Sequence, residues 1–220
     1  MMVSLRHRLV LFAMPKCASS ALEQALSSHM DIVITGHPGA KHTIYGKYKR
    51  HLKRYFESFS DGPMETLCLF REPTDWLNSW WRYRGRENIP NPEHSTRNMD
   101  FDSFVEAYLD NRRPPANLGR QSRFVSDPDG GIGIDRLFRY EDAGTLLHYI
   151  CERMDLDVSM RRYNVSPDAH AAETLRPETL AALRTDLALD FEIYESLPTS
   201  VSPAGQDLPG QSARGSISRP

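Results

Sequence analysis

The chain has 220 residues, 40% hydrophobic and 25% charged, the values of a globular protein long enough to bury one core. Lys and Arg total 27 against 29 Asp and Glu, for a formal net charge of -2, which excludes a general nucleic-acid binder built on basic excess. The three cysteines, Cys17, Cys68 and Cys151, contain no C-x-x-C pair, so zinc and thioredoxin-type chemistry lack their ligands and a reduced, cytoplasmic compartment is expected.

Arg8 to Met14 reads as a buried strand. Its apolar run, behind Arg6 and Arg8, is shorter than the h-region of a signal peptide and meets Pro15-Lys16 at once. No run reaches the roughly 18 apolar residues of a membrane span. A helix is predicted from Ser20, and a second strand over Asp31 to Thr35. His42 to Phe59 has aromatic and aliphatic residues near helical spacing and reads as one basic amphipathic helix. Thr66 to Phe70 is a third buried strand, and Pro73 suits the first turn of the helix that follows.

Residues 85–99 carry the composition of a loop. Further helices are predicted over Phe101 to Leu109, Ala143 to Met154 and Pro177 to Leu197, with another strand within Ile132 to Tyr140. Residues 1–197 are expected to form one domain, and 198–220 a disordered tail rich in Ser, Pro and Gly. Apolar strands alternating with helices predict an α/β fold: a three-layer sandwich with a central parallel sheet flanked by helices. Ligands in such folds bind beyond the C-terminal ends of the strands.

One strand leads into Pro15-Lys16-Cys17-Ala18-Ser19-Ser20, where a helix opens. Small residues let backbone N–H groups approach an anion, the helix N-terminus adds partial positive charge, and Lys16 adds a full one. Local spacing leaves two readings open: an anion site, or a serine cap with a solvated lysine. The ATP-type loop G-x-x-x-x-G-K-S/T is absent, because lysine here precedes the small residues. Another strand ends in Arg71-Glu72-Pro73, and Ser79 follows on the next helix. Arg71 supplies a planar fork of donors, and both side chains suit one oxyanion. The alternative is an ion-paired arginine and a serine bonded to its own backbone.

The two motifs together resemble those of sulfotransferases that use 3′-phosphoadenosine 5′-phosphosulfate (PAPS). Residues 15–20 are similar to that family's 5′-phosphosulfate loop, P-K-x-G-S/T-S/T, with Ala18 where glycine is usual; alanine resists positive φ. Arg71 to Ser79 is similar to the family's 3′-phosphate motif. Arg139-Tyr140-Glu141-Asp142, Asn164-Val165-Ser166 and Asp190-Phe191-Glu192-Ile193-Tyr194 resemble later patterns of bacterial members, so the likeness runs from about Leu9 to Leu197. It implies a P-loop NTPase-like fold and PAPS as co-substrate, with adenosine 3′,5′-bisphosphate (PAP) as product. It also implies donor contacts at Lys16, Cys17, Ala18, Ser19, Ser20, Arg71 and Ser79, and no required metal.

Sulfuryl transfer, like phosphoryl transfer, rests on alignment and charge stabilisation. A cation must meet the leaving phosphate oxygen, and Lys16 is the candidate. The attacking hydroxyl or amine must lose a proton, and histidine suits that task. His37 and His42 follow the second strand; His42, beside Lys41, is preferred because bacterial members place a base at a similar position. The basic run Lys41, Lys47, Lys49, Arg50, Lys53 and Arg54 reads as a solvated face or as a cleft that steers anions. Arg120 and Gln121 are candidate contacts of the cleft, and Trp76, Trp80 and Trp81 are candidates for stacking or core. The expected acceptor is a small molecule or carbohydrate. Two other readings stay open: an ATP-dependent small-molecule kinase, and a nucleotide-binding protein without chemistry.

Overall fold

The computed structural model describes residues 1–110, 113–159 and 175–199. Asn164 to Ser166 and residues 200–220 of the expected tail lie outside the described residues. The strands are β1 (Met2–Ser4), β2 (Leu9–Leu11), β3 (Ile32–Val33), β4 (Glu65–Phe70) and β5 (Arg136–Arg139). They form one sheet in the order β3-β1-β2-β4-β5. Strands β2, β4 and β5 are parallel, with Leu11 opposite Leu67 and Leu67 opposite Arg136. Strand β1 runs antiparallel to both β2 and β3. The sheet is therefore mixed, a correction to the expected parallel sheet.

The reason lies in the first residues. Leu5 to Arg8 forms a tight turn, closed by the Arg8 N–H on the Leu5 carbonyl at 3.2 Å, with Arg8 at φ 55°. A tight turn joins antiparallel neighbours, and it slots β1 between β2 and β3. Three residues, Met2 to Ser4, carry too little pattern to announce a strand.

In β2 and β4, Leu9 to Leu11 and Thr66 to Phe70 are all buried. Successive strand residues point to opposite faces, so both faces of the sheet centre are covered. Strand β5 closes one edge with Arg136 and Arg139, charges that discourage further pairing.

The helices are α1 (Ser19–Leu26), α2 (Pro38–Lys41), α3 (Tyr45–His51), α4 (Lys53–Glu57) and α5 (Pro73–Arg84). After them come α6 (Phe101–Leu109), α7 (Gln121–Val125), α8 (Ala143–Met154), α9 (Pro177–Asp186) and α10 (Ala188–Ser196). The single helix expected over His42 to Phe59 is broken twice. His42 ends α2 and does not open a helix, its N–H bonding Pro38 O at 2.9 Å. The β-branched pair Thr43-Ile44 follows: the Thr43 hydroxyl donates to Ala40 O at 2.7 Å, and Ile44 is extended. This re-entry turns Tyr45 and Tyr48 into the core, where Tyr48 meets Phe12 edge-on at 5.2 Å. Leu52 then separates α3 from α4, and Leu187 separates α9 from α10.

Loop 85–99 is held to α5. The Thr96 hydroxyl donates to Trp81 O at 2.7 Å, and the Trp81 indole N–H donates to Met99 O at 2.8 Å. Among the described residues no helix is long and apolar enough to cross a membrane.

Candidate functional site

Strands β2, β4 and β5 end on the same edge of the sheet because they are parallel. Past those ends lie residues 13–18, Arg71 and Tyr140. The loop after β2 bends sharply, with Lys16 at φ 65° and Ala18 at φ 50°. Ala18 is the N-cap of α1, and no side chain caps that end. The N–H groups of the first turn are thus without intrahelical partners, and they point where an anion would sit.

Ala18 therefore occupies the left-handed region that glycine accepts without strain. That conformation costs a non-glycine residue about 1–2 kcal/mol, part of which glycine returns through the entropy of the unfolded chain. Ala18→Gly is expected to stabilise the fold by about 0.5–1 kcal/mol, a rise in Tm of about 2 °C. Thermal unfolding checks this, and a lower Tm would show that the loop is not strained at Ala18.

Lys16 is half-buried. Its ammonium lies over the Tyr83 ring at 4.4 Å and near the Trp80 ring at 5.8 Å, both on α5. Burial lowers its pKa to about 8, and Arg86, Arg71 and Arg82 add like-charge repulsion. A cation held in a cluster of cations gains its charge back when an anion arrives.

Arg71 links the two motifs. It is 8% exposed, and its Nη1 donates to the Lys16 carbonyl at 3.0 Å. Its Nε donates to Asp75 at 2.6 Å, and its guanidinium stacks over Tyr140 at 4.1 Å. Two of its five N–H donors are engaged in these bonds, which leaves three for a ligand. Glu72 caps α5 by accepting the Asp75 N–H at 2.7 Å, and Pro73 occupies the first turn. Helical spacing then puts Ser79 on the same face as Asp75 and Arg82. Ser79 is partly exposed, one turn from the carboxylate that Arg71 holds.

The two candidate bases are set apart. His42 Nδ1 lies 2.6 Å from Ala13 O, on the strand end that feeds the loop. The carbonyl can only accept, so Nδ1 carries the hydrogen and Nε2 is left as the acceptor. Burial lowers the His42 pKa below the ordinary histidine value; the bond to Ala13 opposes that shift and Lys41 adds to it. His37 is exposed at the start of α2. It does not line the cavity beside the loop, whereas His42 does.

That cavity, about 360 Å³, lies beside the loop. Its apolar wall is Met14, Ile44, Trp76, Trp80, Leu118 and Phe124. Its polar side chains are His42, Lys47, Arg120 and Arg123. Lys16 is not among its lining residues, so the loop and the cavity are adjoining compartments, with Pro15 and His42 on the cavity side. Trp76 also fixes the loop, donating its indole N–H to Pro15 O at 3.0 Å.

The basic run divides by partner. Lys41 pairs with Glu23 at 2.6 Å, and Lys49 pairs with Asp127 and Asp129 at 2.7 Å. Lys47 is the member of the run that reaches the cavity. The candidate contact Gln121 has a different place. It is 1% exposed and clamps the strand end: its Oε1 accepts the Arg71 N–H at 3.0 Å, and its Nε2 donates to Arg71 O at 2.8 Å. The same Oε1 lies 3.7 Å from the Cys17 thiol. Behind it, buried Asp190 accepts from the Ser122 N–H at 3.0 Å and the Ser122 hydroxyl at 2.5 Å. Helix α10 thereby holds α7, and α7 holds Arg71. Sequence reasoning missed this role, because nothing local marks a glutamine that pairs with a distant strand end.

No protein-family model matches the chain, and no curated protein matches it. Among solved structures it is similar to a sulfotransferase from Alicyclobacillus acidocaldarius, at 13% identity and a TM-score of 0.46. The match covers 88% of this chain and 97% of that one. A likeness of this degree fixes neither a donor nor an acceptor.

Proposed function

We propose that the protein is a sulfotransferase that uses PAPS and transfers the sulfuryl group to a hydroxyl or amine. The observation that carries this reading is the bond from Arg71 to the Lys16 carbonyl at 3.0 Å. It joins a strand-end arginine to an uncapped, lysine-bearing loop, which supports reading the two as neighbouring contacts for two anionic groups of one ligand. A donor with a phosphosulfate at one end and a second phosphate at the other needs such a pair; ATP, with one phosphate chain, does not.

The residues fit such a group. The first turn of α1 offers free N–H donors, and Lys16 stands among Arg71, Arg82 and Arg86. Lys16 and residues 17–20 would hold the 5′ end, and Arg71 with Ser79 the 3′-phosphate. PAPS supplies the sulfuryl group and a phosphate leaving group. His42 takes the acceptor's proton at Nε2, held in that tautomer by Ala13. The acceptor oxygen forms the new bond to sulfur, the bond between sulfur and the phosphate oxygen breaks, and its electrons leave with PAP. Lys16 meets the charge that develops on that oxygen.

Calorimetry with PAP tests the donor assignment. Wild type is expected to bind PAP, and Arg71→Ala to weaken it by about 10–100-fold, the worth of a charge-assisted phosphate contact. Failure of wild type to bind PAP would overturn the reading. PAP binding with no transfer to any of a broad acceptor panel would leave a nucleotide-binding protein instead.

A further inference from the structure

The cavity beside His42 has a chemical bias that bears on the acceptor. Its polar side chains are a histidine and three cations, with no Asp, Glu, Asn, Gln, Ser or Thr among the lining residues. A sugar presents many hydroxyl donors, and these side chains offer them few acceptors. The wall is apolar and aromatic instead, and the volume of about 360 Å³ suits a small molecule. Arg120 is already paired with Asp186 at 2.8 Å. Lys47 and Arg123 are exposed at the rim and make no ion pair with a described residue.

We propose that the acceptor is a small hydroxyl compound with an apolar or aromatic body and an anionic group, the anion being met by Lys47 and Arg123. This rests on the sulfotransferase reading for the word acceptor, though not for the binding preference itself. The apolar body fills the wall between Trp80 and Phe124 and brings the hydroxyl to His42. The anion stays at the rim, where two cations that pair with no described acid select for it and where it need not be desolvated fully. Of the two classes expected from sequence, small molecule or carbohydrate, a carbohydrate fits this lining less well.

The experiment compares three probes on PAP-loaded protein by calorimetry: para-hydroxyphenylacetate, its methyl ester and methyl glucoside. The acid is expected to bind about tenfold more tightly than the ester at low salt, and that ratio should fall as salt rises. In the double variant Lys47→Ala/Arg123→Ala the ratio should shrink to about twofold or less while ester affinity holds, which also shows that the cavity is intact. Equal binding of acid and ester, tightest binding by the glucoside, an undiminished ratio in the variant, or no binding by any probe would overturn the proposal. PAP affinity is read in the same titrations. If PAP itself does not bind, the donor reading fails, and the acid-to-ester ratio on the free protein still decides the cavity's preference.

Discussion

Replacing His42 with alanine is expected to cut turnover by about 10²–10⁴-fold, the usual contribution of a positioned general base. PAP affinity should stay within about twofold, because the imidazole lines the cavity beside the loop, which Lys16 does not line. One hydrogen bond sets the tautomer of His42. Ala13 O can accept only, so it fixes the proton on Nδ1 and aims the lone pair of Nε2 elsewhere. His42 lines the cavity, which gives that lone pair a place to act.

The pH dependence follows from burial. A base works when deprotonated, so turnover rises with pH through its pKa. Burial holds the His42 pKa below the ordinary value of 6.5, so the midpoint of the rise should lie on the acid side of that value. Steady-state rates between mildly acidic and neutral pH read this limb, and it should vanish in the variant. Unchanged turnover in His42→Ala would remove the base assignment. His37 could inherit it only if α2 moved, because its side chain is exposed and outside the cavity lining.

The elements that position the site differ in how far they can be read from sequence. Strands β2 and β4 were legible because both faces are buried, which writes a continuous apolar run. Helix α8 matched its expected bounds, Ala143 to Met154, because it stands on one amphipathic face. The long helix failed at Thr43-Ile44 and at Leu52, where tertiary packing of Tyr45 and Tyr48 outweighs the helical period. The loop motif reads as an anion site or a capped helix entry, and Ala18 resists the positive φ of 50° that the structure gives it. Sequence could not show that Arg71 reaches the Lys16 carbonyl or that Asp75 occupies its Nε. Nor could it show that Gln121 locks the strand end. Each is a contact between distant segments, with no local periodicity to carry it. The same holds for the division of the basic run: Lys41 and Lys49 are neutralised by acids elsewhere in the chain, and Lys47 pairs with no acid among the described residues.

Lys16→Ala is expected to lower turnover by about 10²–10³-fold, the loss that follows removal of one group aimed at developing charge. The loop's geometry does not depend on the ammonium, because Trp76 and Arg71 hold it through the Pro15 and Lys16 carbonyls. The ammonium instead carries a signature that a merely structural residue would lack. Its pKa is lowered to about 8, first by burial and then by Arg86, Arg71 and Arg82. In the free protein the charge is therefore lost as pH rises through about 8, and donor affinity should fall over that interval. A bound phosphate favours the charged form and pulls the pKa up again. PAP binding at a pH near 8 must then take up protons, with less uptake near neutrality, where Lys16 is already charged. Calorimetry in buffers of different ionisation enthalpy measures that uptake directly. Lys16→Arg keeps the charge across the whole range and should abolish both the uptake and the alkaline fall in affinity. Binding of PAP with no proton uptake near that pH would place Lys16 away from the phosphate and leave the loop a strained helix entry whose lysine packs against α5.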